Sequence, residues 1–175
     1  SAMVGTLPTP CGEGDASGAT DQGVTDDAIA ISTIADPGAQ AAPGLNLGVH
    51  QAMTAFVAYC NSLGGINGRP LELTLLDAAL FNYNQVVQEA CESSFAMVGG
   101  GGALDETGAQ TAVDCGLVDV AGFTISPDKA ESDRVYQPLP NATYQFNVGA
   151  ARQIVEEHPE AATHAAMIYS NLPVT

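Results

Sequence analysis

The residues best placed for chemistry lie in 95–108, FAMVGGGGALDETG: an apolar run, four consecutive glycines (Gly99–Gly102) and an acidic helix start. Strand, glycine-rich turn and helix together cradle phosphate in many nucleotide-binding proteins, because free amides and the helix dipole face the anion. The spacing argues against that use here. A Walker loop needs G-x-x-x-x-G-K-[ST]; Gly102 to Gly108 is spaced wrongly, and Ala109-Gln110 stand where Lys-Ser/Thr should. A dinucleotide fingerprint G-x-G-x-x-G begun at Gly100 puts Asp105 at its third glycine. Asp105 and Glu106 then place carboxylates at the helix start, where they complement the dipole themselves, and Asp105 is expected to cap the helix. A phosphate is repelled there.

Other catalytic patterns are thin. No G-x-S-x-G, H-E-x-x-H or Cys-His pairing is present, and His50, His158 and His164 share no ligand-like spacing with Cys11, Cys60, Cys91 and Cys115. No catalytic residue, metal or cofactor is expected. Asp26-Asp27 and Glu156-Glu157 read as solvated surface, His50 as structural and His158 as a helix-end residue. Asn141-Ala-Thr143 matches a glycosylation acceptor by chance. Four cysteines without C-x-x-C suit two disulfides in an exported protein, with three connectivities open.

Charge narrows the partners. Four Lys+Arg stand against twenty Asp+Glu, for a formal net charge of −16. Such a chain repels nucleic acid and anionic membranes. Hydrophobic residues make up 46% of its 175 residues, enough for a packed core. No transmembrane span is visible. Ser1–Val4 reads as a tag remnant and trimmed export signal, and the Pro/Gly/Ser/Thr-rich stretch to Gly23 as a flexible leader (1–23). The leader resembles the tether behind a lipid anchor.

The elements that must position any site follow from periodicity. Strands are expected at 28–35, 71–78, 95–99 and 117–122, with a short one near Val135–Leu139. Helices are expected at 45–63, 82–92 and 105–115, the first ended by Gly64-Gly65. Then 144–160 reads as a helix and 163–171 as another strand. Alternating strand and helix with short connections predict an α/β fold: a parallel sheet with helices on both faces, a Rossmann-like lobe. Ligands in such sheets sit outside the strands' carboxyl ends. The loops 36–44, 77–84, 99–105 and 121–128 all fall at that edge, with Phe81, Tyr83 and Phe123 among them as aromatics suited to holding a ligand.

The order strand, Pro/Gly-rich loop, long helix, then NSLGGINGRPLELTLLDAA (61–79) resembles the type I periplasmic binding-protein family, in its branched-chain-amino-acid-type ABC importer branch. GGINGR (64–69) followed by a strand ending in Asp77 is its most specific part; FAMVGG and CGLVDVAG fit the next two strands. The resemblance implies that 24–140 is the first lobe and 141–175 the start of a second. It implies a ligand set of Gln40, Phe81, Gly101, Gly102, Ala103, Leu104, Phe123 and Thr124 facing an interlobe cleft. Where the family usually carries hydroxyl residues after the third strand, Gly101–Leu104 offer none.

Placed on that fold, Cys91 and Cys115 end adjacent helices entering adjacent strands, so they are expected to pair, leaving Cys11 to staple to Cys60. The function implied is a non-enzymatic, extracytoplasmic solute-binding protein. It would capture a small molecule, an amino acid or related polar or amphipathic compound, and deliver it to the importer's membrane subunits. A ligand-sensing accessory domain on the same fold, or a nucleotide-dependent Rossmann enzyme, are the alternatives.

Overall fold

The computed structural model describes residues 3–139, 148–166 and 168. After a short antiparallel hairpin (Met3–Val4 with Leu7–Pro8) the chain alternates strand and helix. The elements are β1 (Ile29–Ala35), α1 (Leu47–Ser62), β2 (Leu71–Asp77), α2 (Tyr83–Ser93), β3 (Ala96–Val98), α3 (Glu106–Asp114), β4 (Val118–Val120), α4 (Pro127–Ala130), β5 (Val135–Tyr136) and α5 (Gly149–Glu157). The strands form one five-stranded parallel sheet in the order β2-β1-β3-β4-β5. The chain steps one way from β1 to β2 and the other way from there on, so the switch point lies between β1 and β3.

β1 lies inside the sheet, between β2 and β3, and its residues tolerate burial on both faces. Ile31 to Ala35 are all buried, and the Thr33 hydroxyl donates to the Val98 carbonyl at 2.7 Å. On one face Ile34, Leu76 and Met97 pack with Val86, Val87 and Ala90 of α2 and Ala112 of α3. On the other, Ile31 and Leu71 meet Met53, Val57 and Cys60 of α1. The ring of His50 bonds the Leu76 carbonyl at 3.2 Å, the structural part its position in the helix suggests. Beyond α1, over β3 and β4, the sheet presents a shallow apolar groove of about 310 Å³ that includes Phe95, Val98, Val118 and Val120.

The cysteines lie at bonding distance in the expected pairs: Cys11 with Cys60 (Cα–Cα 5.1 Å) and Cys91 with Cys115 (Cα–Cα 6.0 Å). This overturns the flexible leader. Cys11 is buried, and the segment after it runs as a strap across the α1–β2 turn: Gly12 N–H donates to Gly65 O at 2.7 Å and Gly68 N–H to Gly12 O at 3.1 Å. Arg69 Nη2 donates to Gly18 O at 2.8 Å, and Gln22 Nε2 bonds the Cys91 and Ser94 carbonyls at the end of α2. A Pro/Gly-rich composition allowed the strap to lie flat; it did not leave it free.

Two further differences concern the second half. Residues 123–140, expected as loop apart from one strand, also form α4, started by Ser126, whose Oγ accepts from Lys129 N–H, with Pro127 in the first turn. Residues 159–163 form a 3₁₀ turn in place of the start of the strand expected over 163–171, of which 167 and 169–171 lie outside the described residues. The Asn141 acceptor and the first residues of the 144–160 helix also lie outside them.

Candidate ligand-binding edge

The carboxyl edge is organised by three aspartates. Asp36, directly after β1 and fully buried, accepts from Leu80 N–H (2.9 Å) in the β2–α2 loop and from Ala103 N–H (2.9 Å) in the β3–α3 loop. Asp77, the last residue of β2, accepts from Gly38 N–H (3.1 Å) and Ala79 N–H (2.9 Å). Asp105 accepts from Ile125 N–H (2.8 Å) and Ser126 N–H (2.9 Å) in the β4–α4 loop. Each edge loop is thus tied to a neighbour through a carboxylate. Asp105 stands at the start of α3 but makes no side-chain bond to it, so the expected helix cap is corrected: its oxygens are already committed across the sheet.

This gives Asp105 a testable cost. Asp105→Ala leaves two backbone N–H groups in the interior without an acceptor. We expect a loss of about 2–3 kcal/mol, read as a lower urea midpoint, with Asp105→Asn losing less because it keeps one acceptor oxygen.

The glycine run serves packing. A Cβ on Gly100 would fall 2.5 Å from the Ile34 carbonyl oxygen, and one on Gly102 would fall 2.3 Å from the Tyr83 ring. The loop therefore lies hard against the end of β1 and against α2. Tyr83 is no edge aromatic: it is 1% exposed and part of the core. Its hydroxyl accepts from Lys129 Nζ, which also pairs with Asp119 Oδ2 at 2.8 Å. Burial pushes the Tyr83 phenol up to about 12. Burial also lifts the Asp119 carboxyl, with Lys129 opposing it. For Lys129, burial acts downward, but the Tyr83 and Asp119 oxygens outweigh it and the ammonium is held above its usual range. The sequence reading missed this triad. The signal was a lone acid, Asp119, inside an apolar strand and the chain's sole lysine after Ser126-Pro127.

The expected ligand residues fall into two neighbouring groups. Gln40 and Phe81 line an open cleft of about 520 Å³ with Gly38, Ala41, Ala79, Leu80 and Asn82. Phe81 is 71% exposed. Ala79 and Leu80 hold φ of 45° and 77°, a left-handed turn that aims Phe81 outward and is pinned by Asp77 and Asp36. Gly101 to Leu104 and Phe123-Thr124 form the second group: Gly101 lies against Phe123, and Thr124 is buried with its hydroxyl 2.7 Å from Gln137 Oε1. Asp36 links the groups through Leu80 and Ala103.

No protein-family model and no curated protein matches this sequence. Solved structures do. The isoleucine complex of the branched-chain amino acid transporter substrate-binding protein LivJ from Streptococcus pneumoniae aligns with 75% of this chain and 39% of its own, at 16% identity and a TM-score of 0.61. A fatty acid ABC transporter substrate-binding protein from Thermomonospora curvata aligns with 84% of this chain and 38% of its own, at 14% identity and 0.60. An ABC transporter substrate-binding protein from Desulfitobacterium hafniense aligns with 75% and 40%, at 22% identity and 0.54. The chain has the type I periplasmic-binding-protein fold and spans about two fifths of the length of these structures.

Proposed function

We propose that this chain supplies the first lobe of an extracytoplasmic solute-binding protein, non-enzymatic, that captures a small molecule and passes it to the membrane subunits of an ABC importer. The observation that carries this is the carboxyl edge where the loops after β1 and β2 meet, beside the switch point. There, loops locked by Asp36 and Asp77 hold Gln40 and an exposed Phe81 around an open cleft. The likeness in fold to three transport proteins supports it. In this reading residues from 141 onward begin a second lobe that closes over the edge by a hinge. α5, which buries none of its residues, is consistent with that. Among the described residues no helix is long and apolar enough to cross a membrane.

The test is a thermal-shift screen of the natural polypeptide carrying this sequence, against amino acids, amides, sugars, amines and fatty acids. A solute that binds the folded state raises Tm with concentration. Micromolar binding of NAD or ATP, with no response to any solute, sinks the reading in favour of a nucleotide enzyme.

A further inference from the structure

Resting on the solute-binding reading, we infer that this cleft takes an organic cation with an apolar body, an alkylammonium in class, and refuses carboxylate ligands. Backbone amides and basic side chains are what an edge of this kind can offer a carboxylate. Here four amides are already occupied by the chain's own acids: Leu80 and Ala103 by Asp36, Gly38 and Ala79 by Asp77. No basic side chain of the first lobe replaces them. Of the four Lys+Arg, Lys129 is buried against Asp119, and Arg152 in α5 is paired with Glu156. Arg69 reaches the Gly18 carbonyl beside the α1–β2 turn, and Arg134 precedes β5, so both lie at the opposite, amino end of the sheet.

What the cleft does present suits a cation. Phe81 offers an exposed aromatic face, Gln40 a side-chain carbonyl, and Asp36 and Asp77 stand as carboxylates behind the lining loops. A chain of net charge −16 adds a field that draws cations and repels anions. The opposing feature is the start of α2, where Asn82 makes no side-chain cap. Its dipole amounts to roughly half a positive charge, set against two full carboxylates.

The natural polypeptide carrying this sequence is titrated with butyltrimethylammonium, hexanoate and L-leucine while its backbone amides are followed by NMR. Butyltrimethylammonium is expected to shift Gln40, Ala41, Leu80 and Phe81 saturably, more weakly as NaCl is raised, with affinity falling at least tenfold in Phe81→Ala. Phe81 is largely solvent-exposed, so that variant keeps its core. Hexanoate and leucine are expected to leave these amides in place. If either carboxylate shifts them as strongly as the cation, the ligand class is wrong while the solute-binding edge survives. If Phe81→Ala binds the cation unchanged, the aromatic assignment is overturned. If nothing shifts them, both this inference and the binding edge fall.

Discussion

Lys129→Met is expected to cost about 3–5 kcal/mol, because it strands the Asp119 carboxylate in the interior without its cation. A loss of that size is a large share of a typical domain's stability and should move the urea midpoint far down. Removing both charges, in Lys129→Met with Asp119→Leu, should recover most of the loss, since the stranded charge rather than the missing attraction dominates. A single variant that unfolds within about 1 kcal/mol of the parent contradicts the buried triad. The same group sets an alkaline limit. Tyr83 is pushed up from 10.0 to about 12, and Lys129 is also raised. Groups raised in the folded state contribute stability that is full below their unfolded values and lost as pH climbs through the folded ones. Above pH 10 the unfolded chain releases these protons first. With both groups contributing, stability should fall by up to about 2.7 kcal/mol per pH unit, the limit for two protons, and less steeply in Tyr83→Phe.

Replacing Cys11 and Cys60 together by alanine is the second large change. The bridge closes a loop across a sequence separation of 49 residues, which the chain-entropy relation values at about 4 kcal/mol; the Cys91–Cys115 bridge, across 24, comes to about 3.4 kcal/mol. The first pair has a local signature the second lacks. Without it the strap is held only by backbone bonds such as Gly12 to Gly65 and by Arg69 and Gln22. Hydrogen exchange should therefore accelerate at Gly12, Ala16 and Gly68 well before the core strands respond. Equal protection of those amides in the variant would show that the strap docks without its sulfur link.

The strand–helix alternation and the parallel sheet were legible because their signals are local. The β-branched run of β1, the Gly64-Gly65 stop after α1 and the short α/β connections each act within a few residues. The cysteine pairs became legible once that topology set which helix ends are neighbours. What was not legible depends on partners far along the chain. Asp105 looks like a helix cap from its own sequence, yet its acceptors serve amides 20 and 21 residues later. Tyr83 looked like a loop aromatic because its contact with Lys129 spans 46 residues. Of the strap, only Cys11 carries a signal in the sequence; the backbone bonds to Gly65 and Gly68 leave no side-chain pattern. Phe81 stands out in the sequence as an edge-loop aromatic, but only the left-handed turn at Ala79-Leu80 explains why it points outward.

The strap also decides how force enters the molecule. Cys60 lies in the last turn of α1, at the sheet's amino end, so a pull applied ahead of Cys11 passes through the sulfur link into that helix. It bypasses residues 12–28 and does not peel β1 from its neighbours. A molecule held by its N-terminal end would hang from the side opposite the Phe81 cleft, with that cleft turned toward open solvent and the load carried by a covalent bond.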